Sequence, residues 1–211
     1  MPFPYYERLT RRQQAIYRKS DALGDVILPR PDVVLPAVAS IEAALAANDR
    51  AAVQKAARDL VRRILRQLGA PKLTVRVLAA RPRSADEELH GLYEREEDEV
   101  PVLSVWMRTS AHRRVVAFRT FLRTLIHEVC HHLDYDLHGL EDSFHTEGFF
   151  RRESSLVRQL LGTGQGRRPR PRDRALERAP KKRSAPRRRS RSGDELEGTP
   201  KHPKGQLELP I

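Results

Sequence analysis

Apolar residues recur at helical spacing through the first third of the chain. Residues 7–20, 32–48 and 50–68 each have this pattern and predict three helices. In the third helix an apolar stripe with a period of 3.6 residues comprises Val53, Ala57, Leu60, Ile64, Leu65 and Leu68. The sequence Gly69-Ala70-Pro71 ends that helix, so the chain is expected to change structure there.

Shorter apolar segments follow and predict a small sheet. Residues 73–79, 91–95 and 100–110 read as strands, and an acidic sequence, EEDE, joins the last two. This order, with helices first and strands afterwards, favours the α+β class over alternating β/α units.

Two further helices are predicted after the strands. Residues 118–137 have a buried face of Phe118, Leu122, Leu125, Ile126, Val129 and Leu133, and Gly139 is a suitable C-terminal cap. Residues 147–161 predict a closing helix.

Composition divides the chain near Gly162. Residues 163–211 carry 15 Lys and Arg, 6 Asp and Glu, 7 of the 15 prolines and no aromatic residue. Such a segment cannot bury enough apolar surface to offset its chain entropy, so we expect a disordered basic tail. Residues 1–162 have 25 basic and 22 acidic residues, and we expect them to form one domain.

Cysteine usage and apolar content limit the class of protein. The single cysteine, Cys130, excludes an internal disulfide and an all-cysteine zinc site, and we expect it to be a small core residue. The N-terminal sequence MPFPYYERLTRRQQ lacks the apolar run of a signal peptide, and no stretch approaches the roughly 18 apolar residues of a membrane span. We therefore expect a soluble, cytoplasmic protein with no membrane partner.

Histidines are concentrated between residues 124 and 150, which contain His127, His131, His132, His138 and His145. His127-Glu128-Val129-Cys130-His131 is an H-E-x-x-H sequence on the predicted long helix. Residues four apart stand one turn above each other, so two imidazoles can reach one ion while Glu128 takes a proton from water there. Zinc hydrolases of this kind need three protein ligands and an open fourth position.

The third ligand has several candidates. His132 points about 140° away from His127 around the helix, and His138 lies about 10 Å along the axis from His131. A metzincin continuation fails because it requires glycine and histidine where this chain has aspartate and leucine.

His145 is the leading candidate for the third ligand. A turn-like segment, residues 139–143, lets the chain fold back, and His145 stands where the closing helix begins. Glu147 and Glu153 are the alternatives, as glutamate ligands from that helix.

Other polar residues have supporting or ordinary roles in this interpretation. The candidates to orient an imidazole are Asp134, Asp136 and Asp142. We expect ordinary solvated histidines at His90, His112 and His202. Nearby polar groups are Tyr135, His132 and His138, and none of them can be assigned as an oxyanion donor.

Over residues 100–160, LIHEVCHHLDY followed by FHTEGFFRR resembles the SprT-like metallopeptidases, which include the Spartan proteases that digest proteins crosslinked to DNA. In that family a histidine opens the helix after H-E-x-x-H, commonly as H-G-x-x-[FW], and His145-Thr146-Glu147-Gly148-Phe149 is the counterpart here. The resemblance implies a zincin-like core with zinc on His127, His131 and His145 and with Glu128 as general base.

This chain departs from the family pattern in two ways. Thr146 replaces the usual glycine, and Gly148 comes two positions late. The cysteines of the zinc ribbon that follows many relatives are absent, so no role of that ribbon carries over. An extended substrate is expected to add as a strand along residues 102–107, if these form an exposed edge; core packing is the alternative for them.

The tail suggests partners. RRPRPRDR (residues 167–174) and KKRSAPRRRSRS (residues 181–192) are suited to phosphate backbones through counterion release, although a merely solvated basic tail is the alternative. The final sequence QLELPI resembles the short peptides by which bacterial proteins dock on the DNA sliding clamp, with Gln206, Leu207, Leu209 and Ile211 as the docking residues. Both features are consistent with a location at the nucleoid.

The leading hypothesis is therefore a zinc metallopeptidase that cleaves peptide bonds with a zinc-activated water and acts on DNA-associated proteins. The runner-up is a non-catalytic DNA-binding or clamp-associated adaptor with a vestigial zincin core. A zinc hydrolase acting on other bonds is a third hypothesis.

Overall fold

The computed structural model describes residues 3–80, 91–96, 98–110 and 112–162. Within these ranges the chain has five α-helices and one three-stranded sheet, and helices precede and follow the strands rather than alternating with them. This arrangement confirms the predicted α+β class. The predicted disordered tail and the docking peptide lie outside the described residues, as do His90 and His202.

The helices are α1 (Arg11–Ala22), α2 (Leu35–Ala46), α3 (Arg50–Leu68), α4 (Phe118–Asp136) and α5 (Glu147–Leu160), with short 3-10 helices at Pro4–Arg8 and Pro31–Val33. The helix predicted over residues 7–20 is divided because Thr10 and Gln13 form a capping box that starts α1. The helix predicted from residue 32 begins only at Leu35, with a proline in its first turn.

Helix α3 has the predicted bounds and buries the predicted stripe. Asp49 caps its N-terminus by accepting a hydrogen bond from Ala52 N, and Gly69 ends it in the left-handed conformation at φ 67°. The stripe is buried at Val53, Ala57, Leu60, Ile64 and Leu65, and Leu68 is partly buried. Helix α2 packs against α3, so the two form a helical layer beside the sheet.

The sheet consists of β1 (Thr74–Leu78), β2 (Gly91–Glu94) and β3 (Val102–Trp106), in the order β1-β3-β2. Strand β3 pairs in parallel with β1 and antiparallel with β2. The expectation that residues 102–107 form an exposed edge is therefore wrong. Both sides of β3 are hydrogen-bonded to neighbours, and its residues from Leu103 to Trp106 are buried.

Side chains of α3 cover the outer edge of β1. Gln54 Nε2 donates to Val75 O at 2.7 Å, and Gln54 Oε1 accepts from Val77 N at 2.6 Å. Arg58 Nε donates to Val75 O at 3.2 Å, and Arg50 donates to Val77 O at 3.1 Å. On the outer side of β1, Val75 O, Val77 N and Val77 O are thus already bonded and less available to another strand. Strand β2 forms the other edge of the sheet and contacts α4.

Helix α4 lies at the centre of the fold, in contact with β2, β3 and α5. The core around it is continuous, and its fully buried members include Ile41, Leu60, Leu103, Leu122, Ile126 and Leu156. This packing places the H-E-x-x-H sequence between the sheet and α5. Among the described helices, none combines the length and the apolar character needed to cross a bilayer.

Candidate metal centre

Two histidines project from one face of α4. His127 and His131 have ring centroids 5.0 Å apart, as expected for residues one helical turn apart. The other face of α4 is held by the core, where Leu125 and Ile126 are fully buried. His131 is only 2% exposed, so its imidazole is shielded from bulk water.

His145 lies directly before α5, where the chain returns to α4. The turn after α4 includes Gly139 in the left-handed conformation at φ 58°. Thr146 then caps α5, because its hydroxyl accepts a hydrogen bond from Phe149 N at 2.9 Å. From the N-terminal segment, the Tyr5 hydroxyl donates to His145 O at 2.9 Å. A turn, a helix cap and a distant tyrosine together hold the backbone of His145.

The three imidazoles direct their Nε2 atoms to one place. His145 Nε2 lies 3.0 Å from His127 Nε2 and 3.2 Å from His131 Nε2. The ligand atoms of these three residues all lie within 4.8 Å of one another. The structure therefore brings His127, His131 and His145 close enough to hold one metal ion.

Glu153 on α5 holds the outer nitrogen of His127. Its Oε2 lies 3.0 Å from His127 Nδ1, and its Oε1 lies 3.4 Å from Arg123 Nε. A carboxylate accepts hydrogen bonds, so Nδ1 of His127 donates to Glu153, and in the Nδ1–H tautomer Nε2 presents a lone pair towards the cluster. Glu153, one of the alternatives for the third ligand, thus contacts His127 on the side away from the cluster.

A buried chain of polar residues holds the outer nitrogen of His131. Ser143 Oγ lies 2.8 Å from His131 Nδ1 and donates to Asp134 Oδ2 at 2.9 Å. Arg152 donates to Asp134 Oδ1 at 2.7 Å and to Ser20 O at 2.8 Å. Since the Ser143 proton goes to Asp134, the hydroxyl accepts from His131, whose Nε2 is therefore also a lone pair.

The ionisation of Asp134 supports this hydrogen-bond assignment. Burial raises the pKa of Asp134 to about 6, although Arg152 and Ser143 act in the opposite direction. The guanidinium of Arg152, 2.7 Å away, favours the ionised carboxylate, which accepts from both neighbours.

Burial also favours the neutral form of two of the clustered imidazoles, His131 and His145. The pKa of His131 is well below its ordinary value of 6.5 because of burial, and His127 and His145 lower it further. Burial, together with His127, lowers the pKa of His145 to about 4. Neutral imidazoles are the form that binds metals. Lone pairs of His127 and His131 directed at one point favour a cation there.

Phe149 closes one side of the cluster. Its ring centroid lies 5.0 Å from that of His127, 4.8 Å from that of His131 and 5.1 Å from that of His145. Phe149 is fully buried, so it excludes water from that side and strengthens electrostatic interactions in the cluster.

Glu128, the residue after His127 on α4, is buried and lies against the edge strand β2. It is 4% exposed, and a Cβ atom placed on Gly91, the first residue of β2, would overlap its carboxylate. Glycine at position 91 therefore leaves the room that this carboxylate occupies. The sequence did not indicate this contact, because the two residues are far apart along the chain.

His132 is engaged on a different side of α4. Its Nε2 lies 2.9 Å from Pro71 O, and its Nδ1 lies 2.9 Å from Asp136 Oδ2 and 3.1 Å from the Tyr93 hydroxyl. His132 is thus separated from the three clustered histidines, as its position on the helix predicts. Asp136, a candidate to orient a metal-binding imidazole, contacts His132 instead.

The remaining candidates have varied positions. Asp142 Oδ1 accepts from Ser143 N at 2.9 Å, and Glu147, the second alternative for the third ligand, is exposed. Neither residue is in the cluster, which among the described residues consists of three histidines. Cys130 is buried and His112 is exposed, as expected.

Sequence analysis did not identify Ser143, Phe149 or Arg152 as parts of this site. Ser143 resembles an ordinary turn residue and provides no signal, whereas Phe149 stands at the aromatic position of the H-G-x-x-[FW] pattern, although its contact with the imidazoles was not foreseen. Arg152 provides one in retrospect, because an arginine on the core face of an amphipathic helix needs a buried anionic partner.

Comparison of the chain with protein-family models, with curated proteins and with solved structures finds no match.

Proposed function

We propose that this chain is a zinc-dependent metallopeptidase of SprT-like type, with a zincin-like core. The zinc ligands are His127, His131 and His145, and Glu128 is the general base. One observation carries the proposal: His145 Nε2 lies 3.0 Å from His127 Nε2 and 3.2 Å from His131 Nε2, and Glu128, the residue after His127 on α4, is buried.

The donor set and its spacing suit zinc. Zinc binds imidazole nitrogens at about 2.0–2.1 Å, and in hydrolases it takes three protein ligands with an open position. Two nitrogens on a tetrahedral ion at that distance are about 3.3 Å apart, close to the separations found here. When bound, zinc acts as a Lewis acid and lowers the pKa of water at its open position towards about 7.

The surroundings of the ligands support the same assignment. Metal-binding histidines usually donate their second N–H to a carboxylate or another fixed acceptor. Here Glu153 accepts from His127, and Ser143, backed by Asp134, accepts from His131. Ligands held in this way need little reorganisation when the ion binds, which favours high affinity.

Glu128 has the position and the environment of a general base. Its carboxylate follows the first ligand on α4 and is shielded from bulk solvent. In the proposed reaction Glu128 accepts a proton as water attacks the peptide carbonyl, and it then passes that proton to the leaving amine.

We propose the outer edge of β2 as the place where an extended peptide binds. The outer edge of β1 is covered by Gln54, Arg50 and Arg58, and β3 is central. Strand β2 has Gly91 directly against Glu128. A peptide added to β2 by backbone hydrogen bonds would pass close to the general base, which an addition to β1 would not achieve.

The two departures from the SprT-like pattern have local explanations. Thr146, in place of glycine, caps α5, and its hydroxyl lies 3.3 Å from Ser20 Oγ. Gly148 stands where α5 approaches the backbone of α1, since an added Cβ would be 2.6 Å from Ser20 O. Neither residue displaces His145, so both departures are compatible with the proposed family.

The partners of the proposed enzyme are inferred from the sequence alone. The basic tail suits DNA, and Gln206, Leu207, Leu209 and Ile211 suit the sliding clamp. These features motivate the proposal that the substrates are DNA-associated proteins in the cytoplasm.

A substitution of the general base tests the proposal. Glu128→Gln removes the proton acceptor and leaves the three histidines in place. We expect about one zinc ion per chain in both proteins, and a loss of proteolysis of at least about 10²-fold in the variant. Metal analysis and cleavage of an unfolded protein substrate measure the two quantities.

Glu42→Gln, an exposed glutamate on α2, is the matched control and should retain full activity. Cleavage by Glu128→Gln at the wild-type rate would contradict the assigned mechanism. A zinc-loaded wild-type protein that cleaves no protein substrate but binds DNA would instead support a non-catalytic adaptor.

A further inference from the structure

A groove between α3 and β1 has a strongly basic lining. The cavity has a volume of about 540 Å3 and lies outside the histidine cluster. Among the described residues, its lining includes four cations and no carboxylate; the cations are Arg58, Arg62, Arg66 and Lys72. The apolar residues in the lining are largely buried, among them Val61, Leu65 and Val75. The groove therefore combines an apolar floor with positively charged walls.

Three of these cations form a regular row. Arg58, Arg62 and Arg66 are four residues apart on α3, so they share one helix face with about 6 Å between successive positions. All three are exposed. Like charges four residues apart destabilise a helix, and in this row the pairing of Arg62 with Asp59 offsets only part of that cost. Asp59 pairs with Arg62 and with Arg63, and it does not line the groove.

We infer that this groove binds the phosphate backbone of a nucleic acid. A regular row of cations complements a polymer whose negative charges repeat at regular intervals, and arginine and lysine side chains are common phosphate contacts. Among the residues that the structure describes, none in the lining is aromatic, so bases have no ring there on which to stack. Binding is therefore by charge, without preference for base sequence.

The groove is distinct from the basic tail and from the histidine cluster. It is formed by α3 and β1 rather than by the basic tail, and none of the described residues that line it belongs to the histidine cluster. The inference does not depend on the proposed peptidase activity. If the groove binds DNA, the protein has a second DNA-binding site besides the basic tail, at a fixed position on α3.

Salt dependence of DNA binding tests this inference. The full-length protein and its Arg66→Ala/Lys72→Ala variant are titrated onto a short fluorescent DNA duplex across roughly 50–200 mM salt. Loss of two phosphate contacts should weaken binding. The plot of the logarithm of the association constant against log [salt] has a negative slope, and the magnitude of that slope should decrease by about 1.8. Arg58 is left intact because it also covers the edge of β1.

Two controls separate the groove from general charge. Arg8→Ala/Arg119→Ala removes two exposed cations outside the groove and should retain the wild-type slope. The Arg66→Lys/Lys72→Arg variant keeps both positive charges and should also have the wild-type slope. Thermal unfolding and circular dichroism verify that each variant is folded.

Each of three results overturns the inference. The first is an unchanged slope in the folded Arg66→Ala/Lys72→Ala variant, and the second is an equal decrease in the Arg8→Ala/Arg119→Ala variant. The third is an Arg66→Ala/Lys72→Ala variant that binds DNA as wild type does but loses affinity for a polyglutamate peptide. That third outcome would assign the groove to acidic proteins.

Discussion

At the scale of single residues, the orientation of each imidazole depends on its second nitrogen. Glu153 holds Nδ1 of His127, and Ser143 holds Nδ1 of His131, so the proton of each ring lies on the outer side. Both Nε2 atoms are left as lone pairs directed inward. Two residues that do not touch the proposed ion thus determine whether the cluster can bind it.

Substitution of Glu153 should weaken zinc binding while the fold is retained. Glu153→Gln removes the charge from the acceptor of the His127 N–H, and we expect zinc affinity to decrease about tenfold or more. Competition with a chromophoric chelator measures the dissociation constant. Glu147→Gln, on the exposed side of the same helix, is the matched control and should bind zinc as tightly as wild type. Equal affinity of both variants would show that Glu153 has no role in the site.

At the scale of helices and strands, the site depends on a close approach between α1 and α5. The N-terminus of α5 lies on the backbone of α1, where Gly148 N donates to Asp21 Oδ1 at 2.7 Å. Arg152 adds hydrogen bonds to Ser20 one turn later. Since His145 directly precedes α5, this contact helps to hold the third imidazole against α4.

A methyl group at position 148 should separate these helices. In Gly148→Ala the new Cβ would lie 2.6 Å from Ser20 O and 2.7 Å from Asp21 Cα, both backbone atoms that cannot easily move. We expect a loss of about 1–3 kcal/mol in the free energy of unfolding, as for other overpacked sites. Denaturant titration measures it. Gly24→Ala, where no atom lies within 4 Å of the added Cβ, should be nearly neutral, and equal stability of both variants would contradict this account.

At the scale of the whole molecule, the cluster joins parts of the chain that are distant in sequence. His127 and His131 come from α4, His145 precedes α5, and Tyr5 reaches His145 from the N-terminal segment. An ion bound by all three histidines would link α4 to α5 in the folded state. The unfolded chain has no such preformed site, so the binding energy adds to the stability of the fold.

Zinc should therefore raise the thermal stability of the protein. At a free concentration about 1,000 times the dissociation constant, a ligand specific for the folded state adds about 4.1 kcal/mol. We expect a higher midpoint of thermal unfolding with zinc than with a chelator, and a much smaller difference in His145→Ala. His112→Ala changes an exposed histidine outside the cluster and should keep the full effect. A wild-type midpoint that is unaffected by zinc would refute metal binding at this site.

Local patterns account for the parts of the fold and site that were predicted. Helix α3 has the expected bounds, and α4 and α5 differ from them by one residue, because helical periodicity and caps are properties of neighbouring residues. The approach of His127 to His131 follows from a spacing of four residues on a helix. Strands were located to within a few residues, but their order was not, since pairing joins distant segments.

The sequence by itself determined the α+β class, the helix that carries the H-E-x-x-H residues and the candidacy of His145, because each depends on short-range spacing and composition. Only the tertiary structure decided that β3 is central, that β2 is the edge beside Glu128 and that α3 covers β1. It also decided which polar side chains meet the imidazoles. These contacts join residues from separate elements, and their geometry is set by how the helices and the sheet pack together rather than by any local pattern.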